Sequence, residues 1–238
     1  MRNPFPLMLF AAGFGTRMGA LTKDCPKPLI KVAGMPLIDH ARRIADAAGV
    51  GPKVANLHYL GDQLAAHLAG SDVALSWERD HILDTGGGLR AALPQLGPGP
   101  VLTLNTDAVW TGANPLLQLM AAWDETRMDQ LFLVLPAAQA RSATGRSDFV
   151  IDDAGRVDWA KGRDGVLYLG AQIIRPDLLT EPEPVFSLHG PWTRAMAAGR
   201  AFAVIHQGDW CDVGHPGGIA EAEAMLRDAG EWPDVHAR

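Results

Sequence analysis

The stretch LMLFAAGFGTRMGALTKDCPKPLIK, residues 7–31, runs an apolar segment straight into glycines and cations. Residues 7–12 have the unbroken hydrophobicity of a strand buried on both faces of a parallel sheet. Gly13, Gly15 and Gly19 follow at once, and glycine's freedom in φ lets a loop bring bare backbone N–H groups against a phosphate. Arg17, Lys23, Lys27 and Lys31 place four cations within fifteen residues, while Pro26 and Pro28 stiffen the backbone on both sides of Lys27. The expected cargo is anionic. A dinucleotide-binding turn needs G-x-G-x-x-G with an acid after the second strand. Here Gly13-Phe14-Gly15-Thr16-Arg17-Met18 has Met at the third glycine position, and the second-strand candidate, residues 53–57, is followed by His58 and Tyr59. A Rossmann oxidoreductase therefore fits poorly, and a P-loop lacks its Gly-Lys-Ser/Thr.

Residues 35–49 carry apolar side chains at Leu37, Ile38, Ala41, Ile44, Ala45 and Ala48, a helical period closed by Gly49. A strand at 53–57, a helix at 60–68 and a strand at 73–77 extend this to β-α-β-α-β, which predicts a parallel sheet with right-handed crossovers. Ligands of such sheets bind at the carboxyl ends of the strands, where the glycine loop lies. His58 and Tyr59, on the same side, are expected to pack or cap. Residues 83–88, Leu-Asp-Thr-Gly-Gly-Gly, precede a helix expected at 89–93 and would expose the donors of its first turn. Residues 100–107 read as a buried strand ending in Asp107, a position that α/β enzymes give to a metal ligand or catalytic group. A helix at 115–123 and a strand at 130–135 follow. Residues 137–164 hold short alternating pieces, 148–152 and 156–159, read as hairpin-like strands. Strands at 166–174 and 201–206 and a helix at 217–226 complete the chain.

With 238 residues, 47% of them hydrophobic, the chain can bury a full core as one α/β domain. Residues 1–53 hold eight Lys+Arg against three Asp+Glu, and the remainder 13 against 24, so the cationic surplus sits with the glycine loop inside a chain of net charge −6. An acidic chain without basic blocks is a poor nucleic-acid partner. No apolar run approaches the roughly 20 residues of a membrane span, and the N-terminus, MRNPFP, lacks a signal-peptide shape. Cys25 and Cys211 lie far apart without metal-ligand spacing. A cytoplasmic protein is expected. His189, His206 and His215 have no metal spacing, and Ser187 has no nucleophile-elbow context, which argues against a hydrolase. Trp110, near Asp107, is the best placed of seven tryptophans to stack on a ligand, though core packing accounts for most of them. Interface and core surfaces look alike in one sequence, so no oligomeric state is assigned.

Phe10-Ala11-Ala12-Gly13-Phe14-Gly15-Thr16-Arg17-Met18, Leu21-Thr22, Pro26-Lys27-Pro28-Leu29 and Gly34-Met35-Pro36 resemble, in order, the signature of the sugar-1-phosphate nucleotidyltransferases, the nucleotide-sugar pyrophosphorylases. Trp210-Cys211-Asp212-Val213-Gly214-His215-Pro216 resembles the family's Trp-x-Asp-Val-Gly-Thr-Pro. The resemblance implies a single-domain, Rossmann-like, three-layer α/β/α fold with a mainly parallel central sheet and a small β-rich lid over the acceptor sugar. Residues 1–135 would be the nucleotide-binding part and 136–238 the sugar-phosphate-binding part. It implies Mg²⁺ on Asp107 and Asp212, and Arg17 and Lys27 acting on the departing pyrophosphate. Ala11, Ala12, Gly13, Gly15 and Thr16 would meet the triphosphate, Thr85, Gly86 and Asn105 the rest of the nucleotide, and Lys161 and Gly170 the sugar phosphate.

The implied reaction is transfer from a nucleoside triphosphate, UTP first among them, to a sugar-1-phosphate. Within the family, the Asp84-Thr85-Gly86-Gly87-Gly88 segment, Asn105-Thr106-Asp107 with Trp110, and Ala195-Met196-Ala197-Ala198-Gly199 look most like the N-acetylmuramate-1-phosphate uridylyltransferases of cell-wall recycling. Relatives using mannose-1-phosphate with GTP, or glucose-1-phosphate with UTP or dTTP, share most of these motifs. Gly19-Ala20 stands where members carry a basic or polar residue and proline, and Thr106 where they carry glycine. These departures keep open a non-catalytic nucleotide-binding domain.

Overall fold

From β1 (Leu7–Phe10) the sheet is laid out in both directions. Leu7, Met8 and Leu9 have no exposed surface, and burying each such side chain stabilises the fold by about 1.5–3 kcal/mol. The computed structural model describes residues 5–141 and 146–233; the readings made above for residues 1–4, 142–145 and 234–238 lie outside the described residues.

Past the glycine loop come 3₁₀ turns at Thr16–Thr22 and Lys27–Leu29, then a two-residue ladder of β2 (Lys31–Val32) and β3 (Met35–Pro36). Next is α1 (Leu37–Ala48), ended by Gly49 in the left-handed region as the sequence predicts. Then follow β4 (Lys53–Leu57), α2 (Gly61–Leu68), β5 (Val73–Trp77), α3 (Asp84–Leu96), β6 (Val101–Asn105) and β7 (Ala108–Trp110). The chain continues through α4 (Pro115–Ala122), β8 (Gln130–Pro136), β9 (Phe149–Ile151), β10 (Val157–Trp159) and β11 (Val166–Ile174). It closes with α5 (His189–Ala197), β12 (Ala201–Ile205), β13 (Trp210–Asp212) and α6 (Pro216–Asp228).

The strands β5, β4, β1 and β6 lie side by side, all parallel. β11 enters antiparallel between β6 and β8, and β12 pairs parallel with β8, so the sheet is mainly parallel, with β11 and the outer hairpin strand β10 reversed. Alternation along the strands divides the core. Leu7, Leu9, Leu57, Leu102 and Leu104 pack toward α1, α2 and α4. Met8, Val54, Phe132 and Ile174 face the other way, toward α3 and α5. Three layers result. The β9–β10 hairpin is joined to β11 through Val166 and Phe149, at the start of β11 and ahead of the residues that pair with β6.

One element starts earlier than its pattern. The helix expected at 89–93 begins at Asp84, which puts the three glycines inside its first turns. Low helix propensity hides the start, because glycine costs about 1 kcal/mol relative to alanine in a helix. Their packing explains them. A methyl on Gly86 would overlap the Phe186 ring, one on Gly87 the Pro184 carbonyl, and one on Gly88 would lie 2.6 Å from Glu78 Oε1.

Candidate functional site

The chain builds β4 and β5 to one side of β1 and then crosses to β6 on the other side. Between the carboxyl ends of β1 and β6 it therefore leaves a crevice, the place where open α/β sheets bind ligands. A cavity of about 280 Å³ lies there, with Ala11, Ala12 and Gly13 on one wall, Asn105, Thr106 and Asp107 on a second, and Asp84 and Thr85 on a third.

The cations reach this crevice through buried anchors. Met18, 1% exposed, packs with Val109, Val213 and Leu226, which clamps the turn carrying Arg17 beneath α6. Thr22 Oγ1 donates to the Gly15 carbonyl at 3.0 Å, and the Tyr59 hydroxyl donates to the Thr22 carbonyl at 2.9 Å, so the loop is braced from inside. Phe14 sits at the loop tip, edge-on to His58. The Pro26-Lys27-Pro28 turn buries the lysine stem, and Lys27 Nζ meets Asp107 Oδ2 at 2.8 Å.

Asp212 arrives from far along the chain. β13 pairs antiparallel with β7, placing Asp212 opposite Ala108, and the Val213 N–H donates to the Asp107 carbonyl at 2.9 Å. The two acids are thereby fixed side by side by backbone. Arg17 Nη1 stands 3.7 Å from Asp212 Oδ2, with the Arg17 side chain 67% exposed and Asp212 only 20%. Burial holds the Asp212 carboxyl above the usual carboxylate range, with the Asp107 charge adding to the rise and Lys27, Arg17 and His215 opposing it. Gly214 completes the arrangement: a methyl there would lie 2.5 Å from Asp212 Oδ2 and 2.8 Å from Arg17 Nη1.

Two neighbouring carboxylates, one of them desolvated, present adjacent oxygen donors of the kind a divalent cation takes. Among the described residues no group of three or more His, Cys, Asp and Glu is arranged to hold a metal ion. All-oxygen donors from only two side chains suit Mg²⁺, which keeps waters and takes its remaining oxygens from phosphates.

The structure thus brings Arg17, Lys27, Asp107 and Asp212 together and sets Ala11, Ala12, Gly13, Thr85 and Asn105 around the cavity. Other candidates are placed differently. Gly86 is buried, and its N–H, with that of Gly87, donates to the Phe186 carbonyl, so its donor is not offered to a base edge. Thr16 is exposed on the 3₁₀ turn and Gly15 packs against Lys27, neither lining the cavity. Lys161 lies in the exposed turn after β10, away from the cavity wall. Gly170 backs Asn105, whose side chain occupies the space a Cβ would need, at 2.8 Å. Thr106 is buried and turns its hydroxyl to the Phe10 carbonyl at 2.8 Å, tying β6 to β1. Trp110 is core, packed edge-on to His206 and Trp210.

Two residues escaped the sequence reading, Asn56 at the cavity floor and Glu78, 3% exposed behind it. Nothing local marks either: Glu78 stands in the charged run Glu78-Arg79-Asp80, whose other two members are exposed, and its burial is visible only in the fold.

Residues 7–225 match the family model described as the MobA-like NTP transferase domain. The chain is 37% identical over 235 residues to the N-acetylmuramate alpha-1-phosphate uridylyltransferase of Caulobacter vibrioides, covering 93% of this chain and 97% of that one. It is 34% identical to the enzyme of the same name from Neisseria meningitidis serogroup B, covering 94% and 98%. Among solved structures, the inositol-1-phosphate CTP transferase from T. maritima superposes with a TM-score of 0.78 over 100% of both chains at 14% identity, a likeness of fold. Among the described residues no helix is long and apolar enough to cross a membrane.

Proposed function

The chain belongs to the family of MobA-like NTP transferase domains and is a nucleotidyltransferase; from that premise we propose that it joins UTP and N-acetylmuramate 1-phosphate into UDP-N-acetylmuramate, releasing pyrophosphate. The observation that carries the reading is the square of charges at the end of the crevice, Lys27 with Asp107 and Arg17 with Asp212. The choice of substrates is supported by the two uridylyltransferase relatives, each matched over nearly its whole length.

A phosphate oxygen of the sugar phosphate attacks the α-phosphorus of the triphosphate, and the bond from that phosphorus to the bridging oxygen of the β-phosphate breaks. The attacking oxygen is already ionised, so no base has to remove a proton. The barrier is the approach of two anions, and positioning and charge neutralisation lower it. Arg17, with most of its side chain open to solvent, neutralises charge on the departing pyrophosphate. Lys27, fixed between prolines, holds its ammonium where the triphosphate enters. Asp107 and Asp212 are the residues that would hold Mg²⁺, which when bound neutralises phosphate charge and aligns the oxygens. Residues 1–135 take the nucleotide and 136–238 the sugar phosphate. Free thiols at Cys25 and Cys211 suit a reducing cytoplasm.

The test is pyrophosphate release from the purified protein with Mg²⁺, crossing UTP, dTTP, GTP, CTP and ATP with N-acetylmuramate-, N-acetylglucosamine-, glucose- and mannose-1-phosphate. Release with UTP and N-acetylmuramate 1-phosphate, lost in Asp107→Asn, is expected. Preference for another pair would overturn the substrate assignment, and silence with folded, nucleotide-bound protein would overturn the activity.

A further inference from the structure

A continuous strut of side-chain hydrogen bonds crosses beneath the cavity. The Ala11 N–H donates to Asn56 Oδ1 at 2.8 Å, and Asn56 Nδ2 donates to Glu78 Oε1 at 2.7 Å. The other carboxylate oxygen, Oε2, accepts from the Leu83 N–H at 2.7 Å. These three bonds run from the first residue of the glycine loop, through the ends of β4 and β5, to the residue before α3. They join the two walls that face each other across the cavity, Ala11–Gly13 and Asp84–Thr85. Asn56 and Glu78 are 4% and 3% exposed, so water does not compete for the bonds.

The strut is also pinned from outside. The Glu78 N–H donates to the Leu57 carbonyl at 2.9 Å, and the Glu78 carbonyl lies 2.6 Å from His58 Nδ1. Gly88 lies against the joint, since a methyl there would come within 2.6 Å of Glu78 Oε1 and 3.0 Å of Asn56 Nδ2. Neither residue carries out the chemistry described above. Their partners are the backbone groups that fix where each wall stands.

We propose that Asn56 and Glu78 are positioning residues for the nucleotide, setting the spacing between the glycine loop and the start of α3 and thereby the affinity of the cavity for a nucleoside triphosphate. This rests on the nucleotidyltransferase reading for its ligand, and it leaves the acceptor sugar phosphate untouched. The donor and acceptor pattern makes the idea separable from general stability. Asn56 must accept from one side and donate to the other, and Glu78 must accept twice. Glu78→Gln leaves one oxygen and one amide for two incoming donors, so one link turns repulsive. Asn56→Asp sets two carboxylates against each other in a buried place. The double variant Asn56→Asp/Glu78→Gln restores every link with the polarity of the middle bond reversed: Asp accepts from Ala11 and from the Gln amide, and the Gln oxygen accepts from Leu83.

The experiment measures UTP affinity by calorimetry without acceptor, and KM for UTP and for the sugar phosphate separately, in the wild type, both single variants and the double. Melting is followed in parallel. Each single variant should weaken UTP by at least about tenfold, the scale of one buried hydrogen bond broken, while KM for the sugar phosphate stays near that of the wild type. The double should recover most of the UTP affinity. Equal losses for both substrates, undiminished UTP affinity in the singles, or a double no better than its parents would overturn the proposal. Wild-type protein that binds UTP without turning over any acceptor would overturn the activity assigned above, yet the strut would still be read by the binding data. Wild-type protein that binds no nucleoside triphosphate would overturn both.

Discussion

The chain has two glycine-rich stretches, Gly13 to Gly19 and Gly86 to Gly88, and they use the same residue for opposite ends. Around Gly13 and Gly19 a Cβ would find nothing within 4 Å, and the loop there stands open beside the cavity. At Gly86, Gly87 and Gly88 all three residues are buried in a helix, and the Cβ space is filled by Phe186, the Pro184 carbonyl and Glu78. In the first stretch missing side chains leave room for a ligand; in the second they leave room for the protein. A glycine run alone does not tell these apart. What does is the packing each meets, since cations follow both runs, Arg17 and Lys27 the first and Arg90 the second, and Arg90 is spent on the Glu181 and Glu183 carbonyls.

Substitutions can break this contrast, beginning with the largest effect. Lys27→Ala should lower turnover at least about a hundredfold, the scale of about 2.7–4 kcal/mol for removing one donor to developing anionic charge, with a smaller loss of stability because its stem is buried and its ammonium pairs with Asp107. Steady-state rates set beside thermal melts test both halves of that statement. Gly87→Ala should do the reverse, destabilising by about 1–3 kcal/mol through overpacking against backbone that cannot yield, with the surviving folded fraction still active; urea melts read it. Gly15→Ala falls between the two classes. Its φ of +65° and a Cβ 2.9 Å from Lys27 Cβ predict about 1–2 kcal/mol of strain together with a lower rate, because the lysine is displaced. Gly13→Ala should change stability by no more than about 0.5 kcal/mol while raising KM for the nucleotide, and a large drop in melting temperature there would erase the distinction.

Much of the architecture was legible where burial and local signals agree. Residues 53–57, 73–77 and 166–174 are apolar runs with clear turn residues at their ends, and the observed strands occupy those same positions. The end of α1 was legible because a left-handed glycine closes it. Pairing partners were not. Nothing local in residues 166–174 says that they run antiparallel between β6 and β8, since that depends on residues far away. The start of α3 was hidden by glycines whose cost is met through tertiary packing. Within the site, the loop cations were readable from one contiguous segment, whereas the Asn56–Glu78 strut joins isolated polar residues whose meaning depends on each other's position. Gly86 shows the same limit: its amide is spent on Phe186, a residue nothing in the local sequence points to.

The short ladder of β7 and β13 also sets an order of events during synthesis. Loop closures between distant residues come late, and chains emerge amino end first. The crevice walls and Lys27 are all made before β8, but Asp212 reaches Asp107 only when β13 has left the ribosome and paired with β7. A nascent chain stalled after α5 lacks both Asp212 and the α6 residues that hold Met18 and its loop in place, so the enzyme's working life begins with its last strand and helix.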